Sequence, residues 1–284
     1  MKFTKTAVAL AIAGVAAVPF AAQADVTLSG SVGIQLGGSD AETDGDDSAG
    51  DPTLSGDDSV VNIGASHTMN SGLTAYGNYR LDSALTGSTP AADNVYIGMK
   101  GGFGDIRIGE VPDASEYGQV AGDMLSDIGG ENAGISYTGN FGPVQLGLNW
   151  SPQNNSDKIG AGVKFSLGGF AIGVGAADLD GDSRLSAGAS FSFAGASVGV
   201  AYKDFDNDRQ TVGAKLGYSV SGVSIGLTYE AEAGDVNDGD SALRLDLGYG
   251  LGGGMDFNFR AQSNMSDTAA NELSTWRYLL TKSF

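Results

Sequence analysis

The stretch KIGAGVKFSLGGFAIGVGAAD, residues 158–178, decides the fold. Ile159, Ala161, Val163, Phe165 and Leu167 fall on one side of an extended chain, and Lys158, Gly160, Gly162, Lys164 and Ser166 on the other. A period of two is the mark of a β-strand. Gly168 supplies a turn, and Phe170, Ile172 and Val174 then resume the alternation against Gly173 and Gly175.

The same pattern extends both ways. VTLSGSVGIQL, residues 26–36, sets Val26, Leu28, Val32, Ile34 and Leu36 against Thr27, Ser29, Ser31 and Gln35. Alternation predicts 16 strands, at about 26–37, 58–69, 72–82, 93–100, 104–110, 131–139, 142–150, 157–167, 169–178, 184–193, 196–205, 209–220, 222–232, 241–249, 254–262 and 273–284. Connections after even-numbered strands are tight, as at Asn70-Ser71, Asn140-Phe141 and Ala194-Gly195. Those after odd-numbered strands are mostly longer and acidic: 38–57, 83–92, 110–130, 151–156, 179–183, 206–208, 233–240 and 263–272. Up-and-down hairpins with short turns at one end and long loops at the other are the pattern of an outer-membrane barrel.

Composition narrows the function classes. The 284 residues carry 15 Lys+Arg against 34 Asp+Glu, net −19, with 46 glycines, no cysteine and one histidine. That glycine content is more than twice the usual share, roughly 7%. Disulfide frameworks, thiolate metal sites and cysteine nucleophiles are excluded. A nucleic-acid partner, which needs clustered Lys and Arg, is not expected. Residues 1–24, MKFTKTAVALAIAGVAAVPFAAQA, have the basic start, apolar stretch and Ala22-Gln23-Ala24 site of a cleaved signal peptide. The mature chain is then 25–284, one barrel domain, with 13 basic and 34 acidic residues, net −21.

Alternation alone fits either a soluble sandwich, with apolar residues inward, or a membrane barrel, with apolar residues toward lipid. The polar face carries mid-strand charges: Arg80, Arg107, Lys164, Lys215, Arg244, Arg260 and Arg277. The apolar face carries aromatics near strand ends: Tyr79, Trp150, Phe170, Phe191, Phe193, Tyr202, Tyr218, Tyr229, Tyr249, Trp276 and Tyr278. Mid-strand charge and aromatic girdles favour the barrel. Gly33, Gly64, Gly98, Gly147, Gly160, Gly162, Gly173, Gly175, Gly188, Gly199, Gly213, Gly217, Gly226 and Gly248 share the polar phase, where missing side chains let the wall curve and leave room inside. The expected fold is all-β, a 16-stranded antiparallel transmembrane β-barrel, wide enough for an aqueous channel.

Four stretches carry a family resemblance: ADVTLSGSVGIQLGG at 24–38, SGLTAYGNYRLD at 71–82, VYIGMKGGFGDIRIGE at 95–110 and the terminal Phe284. The chain resembles a general-diffusion porin of the Gram-negative outer membrane, of the 16-stranded non-enteric type found in alphaproteobacteria. The resemblance implies a homotrimer and a third long loop folded inward. That loop would be 110–130, EVPDASEYGQVAGDMLSDIGG. The chain departs from the family in Glu110, where a basic residue is frequent, and in a short mature length.

On this reading Arg80, Arg107, Arg260 and Arg277 form one sector of constriction wall, because the last strand closes on the first. Glu110, Asp113, Glu116, Asp123 and Asp127 lie on the constriction loop. Cationic wall and anionic loop would set a transverse field that orients dipolar solutes. The bland reading of each arginine is a pair with Asp82, Asp105, Asp246 or Asp256. The expected function is passive diffusion of small hydrophilic solutes and ions with mild cation preference. The alternatives are a substrate-specific channel and a structural or adhesive barrel with a plugged lumen. Enzymatic activity is not expected, since His67 stands alone in the apolar phase.

No cofactor is required. In the first long loop Asp40, Glu42, Asp44, Asp46 and Asp51, with Gly45, partly match calcium-loop spacing, so Ca2+ or another divalent cation is a candidate there. Asp178, Asp180 and Asp182, and Asp235, Asp238 and Asp240, are smaller acidic clusters. An acidic rim also suits divalent-bridged lipopolysaccharide. Expected partners are therefore outer-membrane lipid, lipopolysaccharide, further copies of the chain and the permeating solutes.

Overall fold

The computed structural model describes residues 24–39, 52–82, 91–121, 124, 131–152, 157–179, 182–205, 209–233, 240–266 and 273–284. Residues 1–23 of the expected signal peptide, Asp40, Glu42, Asp44, Asp46 and Asp51 of the first loop, and Asp123 and Asp127 lie outside the described residues.

The strands are β1 Asp25–Ser39, β2 Thr53–Thr68, β3 Thr74–Asp82, β4 Ala91–Gly101, β5 Gly104–Pro112, β6 Glu131–Phe141, β7 Val144–Pro152 and β8 Asp157–Leu167. They continue as β9 Phe170–Leu179, β10 Asp182–Phe193, β11 Ala196–Phe205, β12 Arg209–Val220, β13 Val223–Ala233, β14 Ser241–Gly252, β15 Met255–Met265 and β16 Leu273–Ser283. Each pairs antiparallel with its neighbours in sequence, and β1 closes on β16 from Ser31↔Ser283 to Ser39↔Thr275. Phe284 completes the seam, exchanging backbone hydrogen bonds with Gly30 at 3.0 and 3.1 Å. Closure removes every sheet edge, which is the condition for strands to cross a bilayer. Among the described residues no helix is long and apolar enough to cross a membrane.

The expected strand positions agree with the structure to a few residues, with one larger difference. β2 begins at Thr53, five residues before the expected 58. Residues 53–58, TLSGDD, look like loop because of Gly56, Asp57 and Asp58. The ladder to β1 overrides that tendency, pairing Gly37↔Thr53, Leu36↔Leu54 and Ile34↔Gly56.

The two faces are the reverse of a soluble protein. Val26, Leu28, Leu54, Val163, Ile172, Val174, Val200 and Leu216 are exposed. Buried positions include Ser136, Asn149, Ser186, Lys203, Thr211, Thr228, Glu230 and Arg244. The apolar phase thus forms the outer wall, and the polar and glycine phase lines the lumen. Aromatics on the outer wall gather near the short turns, at Phe141, Phe170, Phe193, Tyr218, Tyr249 and Phe257. Trp276, Tyr278, Phe259 and Phe257 form a run of touching rings across β15 and β16, with centroids 5.0–6.0 Å apart.

Candidate functional site

The connection after β5 is where the lumen acquires shape. Pro112 ends the strand ladder and Asp113 caps a short 3-10 turn, Ala114–Gly118. Asp113 has extended φ/ψ (−75°, 132°) and its carboxylate accepts from Ser115 N–H at 2.9 Å. An acid at this position satisfies an amide that the turn itself leaves unpaired. The turn closes with Gln119 N–H donating to Glu116 O at 2.8 Å.

This turn does not stay near β5. It packs on β8, β9 and β10, with lesser contact to β7. The glycines of the lumen phase make the approach possible. A Cβ at Gly175 would stand 2.5 Å from both Ala114 O and Ser115 O, and one at Gly162 2.5 Å from Tyr117 Cβ. One at Gly173 would overlap Tyr117 O, and one at Gly188 would overlap Gly118 O. Further round, Ala121 lies over Gly199 and Met124 over Gly213. Polar pegs pin the segment between the glycines. Ala114 N–H donates to Asn149 Oδ1 at 2.7 Å, and Gly118 N–H donates to Ser186 Oγ at 3.1 Å. Ser186 Oγ–H in turn donates to Ser115 O. Val111, Ala114, Ser115 and Met124 are buried as a result.

The rest of the lumen wall carries charge. Arg80 on β3 pairs with Asp82 at 2.7 Å and lies 3.6 Å from Asp93. Arg107 on β5 donates through Nε to Tyr76 Oη at 3.0 Å and to Asp105 at 3.4 Å. Arg244 on β14 and Arg260 on β15 share the Asp246 carboxylate, at 2.8 and 2.6 Å. Arg260 and Arg277 are cross-strand partners, and Arg277 reaches Gln35 Oε1 on β1 at 3.4 Å. The four expected wall arginines therefore occupy the lumen phase. Arg260 and Arg277 come together, whereas Arg80 and Arg107 have separate acidic partners. A deeper pair, Lys203 with Glu230 at 3.5 Å, bridges β11 and β13 with both side chains buried.

The expected loop acids are placed differently from one another. Asp113 is 2% exposed and is committed to its cap. Glu116 lies half-buried within the turn. Glu110 shares the outer phase of exposed Ile106 and Ile108, and its carboxylate accepts from Val95 N–H at 2.8 Å. That amide lies at a register shift between Asn78↔Tyr96 and Arg80↔Asp93, where Asn94 takes a left-handed φ of 52°. Glu110 thus stabilises a β3–β4 bulge and does not face the lumen. The alternation Ile106-Ile108-Glu110 already carried that information. D-x-x-E at Asp113–Glu116 is likewise a helix-start signature. Asn149 and Ser186, the pegs, had only a weak sequence signal: lone polar residues in glycine-rich lumen phase.

The sequence profile of the Gram-negative porin family matches residues 6–269. A monosaccharide porin of a Halomonas species is 29% identical over 136 residues, 43% of this chain and 36% of that protein. The major outer membrane protein P.IB of Neisseria meningitidis serogroup B is 29% identical over 200 residues, 61% of this chain and 58% of the relative. The matched region spans less than two thirds of either relative. Among solved structures, a mutant of the Rhodopseudomonas blastica porin superimposes with a TM-score of 0.77 at 15% identity, covering 92% of this chain and 100% of that one. A loop-deletion mutant of OmpT from Vibrio cholerae gives 0.72 at 16% identity, covering 92% and 99%. At such identities the overlays speak for the fold. Profile and barrel agree on the outer membrane as the location, and the chain belongs to the Gram-negative porin family.

Proposed function

We propose that the chain forms a water-filled channel for passive diffusion of small hydrophilic solutes and ions. The carrying observation is a closed 16-strand barrel whose lumen phase holds charged side chains and glycines while its large apolar side chains face outward. A barrel of this strand number encloses an aqueous passage. Residues 113–121 and Met124 act as its constriction, held on the β7–β12 wall. Solutes cross between that segment and the arginines of β3, β5, β15 and β16. The net charge of −21 for residues 25–284 supports mild cation preference. The family supports assembly as a homotrimer, and residues 1–24 would serve as the export signal.

Planar-bilayer recording tests this directly. Steps of nanosiemens order in molar KCl, arriving in threes, are the expected result, with reversal potentials under a KCl gradient showing cation preference. A folded, heat-modifiable protein that conducts no current would overturn the channel reading in favour of a plugged structural barrel. Reversal potentials of anionic sign would overturn the selectivity. Monosaccharide permeation is a second reading, suggested by the name of the Halomonas relative. Liposome swelling with neutral hexoses would measure it.

A further inference from the structure

On the lumen wall of β3–β5, beside the short turn at residues 102–103, two aromatic rings and two cations meet, and Thr138, the cross-strand partner of Asp105, is the point where Tyr117 of the segment 113–121 comes nearest. The register aligns Tyr76↔Gly98↔Arg107 across three strands. Gly98 has no side chain, so the Tyr76 ring lies down over it. A Cβ there would stand 2.6 Å from Tyr76 Oη and 2.8 Å from Cε1. A ring laid on a glycine turns one face to the wall and the other to the lumen. Tyr96 meets it edge-on, with centroids 6.1 Å apart and planes at 79°.

Lys100 Nζ stands 5.3 Å from the Tyr76 centroid, and the Arg107 guanidinium carbon stands 5.9 Å from Tyr76 and 5.0 Å from Tyr96. The acid that faces them is Asp105. It accepts from Tyr76 Oη–H with one oxygen and meets Arg107 Nε at 3.4 Å with the other. Lys100 is exposed and pairs with no acid among the described residues. In a strongly acidic protein, this mouth of the lumen therefore holds a local surplus of one positive charge beside an aromatic platform.

We propose that this cluster is a solute subsite for small carboxylated ring compounds, the sugar acids being the simplest class. The ring of the solute lies on the Tyr76–Tyr96 platform through its C–H face. Its carboxylate meets Lys100 Nζ and the guanidinium of Arg107. Both cations are held in place by the rings beneath them. Water reaches the site, so binding is weak, as conduction requires: a site in a pore must release what it captures.

The inference rests on the lumen being open, and the test separates the two. Single channels are recorded in KCl, and D-galacturonate, D-galactose or acetate is then added on the short-turn side. Absence of KCl steps for the natural sequence would overturn the channel reading itself. With steps present, the expected result is a saturable reduction of current by galacturonate that galactose and acetate do not reproduce. Lys100→Gln should weaken it about fivefold, with KCl step size and heat-modifiability on gels retained, and Arg107→Gln should weaken it to a similar extent. Equal effects of galacturonate and galactose, or a block untouched by Lys100→Gln, would overturn the subsite. Equal effects of acetate would overturn the role of the rings.

Discussion

Two halves of one wall use the same alternation for opposite purposes. On β7–β11 the lumen phase includes Gly147, Gly160, Gly162, Gly173, Gly175, Gly188 and Gly199, and the chain's own backbone lies on Gly162, Gly173, Gly175, Gly188 and Gly199. On β14–β16 and β3–β5 the lumen phase carries Arg244, Asp246, Arg260, Arg277, Arg80 and Arg107, with Asp82 and Asp246 among the partners of these charges. The contrast shows that binary patterning builds the cylinder while side-chain size within the polar phase decides where the lumen narrows. A wall without Cβ atoms admits a second layer of backbone, and a wall of long charged side chains excludes it.

The largest effect should come from the buried pair. Lys203→Met removes the Lys203 ammonium from the enclosed Glu230 carboxylate, and should cost about 3–5 kcal/mol, read as a lowered midpoint in urea unfolding from detergent. Breaking the exposed pair with Arg80→Gln should cost under about 1 kcal/mol. Its side chains are 32% and 39% exposed, against 1% and 5% for Lys203 and Glu230. Equal losses in the two variants would erase the distinction between covered and open wall.

Seat geometry comes next. Gly162→Leu combined with Gly175→Leu removes the space under Ala114, Ser115 and Tyr117, and should push the segment toward the lumen axis. We expect single-channel conductance to fall by about half or more. Gly226→Ala on β13, outside the seat, is the control. A Cβ there meets Asp246 Cβ at an ordinary 3.6 Å, so conductance should stay at the natural value. A drop in the control would mean that any added lumen bulk narrows the pore, whatever the seat.

Removing a peg should do less. Asn149→Ala leaves the buried Ala114 N–H without its acceptor, at about 1–3 kcal/mol. Broader open-channel current noise should accompany it, and Thr138→Ala should not, because the Tyr117–Thr138 contact is long at 3.4 Å. The smallest effect is a shift in selectivity. Asp246→Asn frees Arg244 and Arg260 from their shared carboxylate and should move the reversal potential a few millivolts toward anions. A shift toward cations would reverse the assignment of these residues to the conducting side.

Much of this was legible in local sequence. Ile159 to Leu167 alternating with Gly160 to Ser166 marks a strand whatever its neighbours do. Arginine–acid pairs two residues apart, Arg80–Asp82 and Arg107–Asp105, could be read from spacing alone, since i and i+2 share a face. Glu110 and Asp113 were readable too, the first from its phase and the second from its cap pattern, but grouping them with the loop obscured both. The start of β2 was not readable, because Gly56 and the two aspartates that follow favour a loop until β1 pairs with Gly56 and Asp57.

The period of two, the number of strands and the outward aromatics were set by residues that act on their immediate neighbours, and so the sequence by itself determined the barrel and the face each side chain takes. The seat of the segment after β5 was decided only by tertiary structure. Gly118 bonds to Ser186, 68 positions away, and Ala114 to Asn149, 35 positions away. Only when the cylinder closes do the glycines of six strands become one surface that backbone can approach. The meeting of Tyr76, Lys100 and Arg107 has the same origin, because it depends on the register of three strands and on the empty position at Gly98.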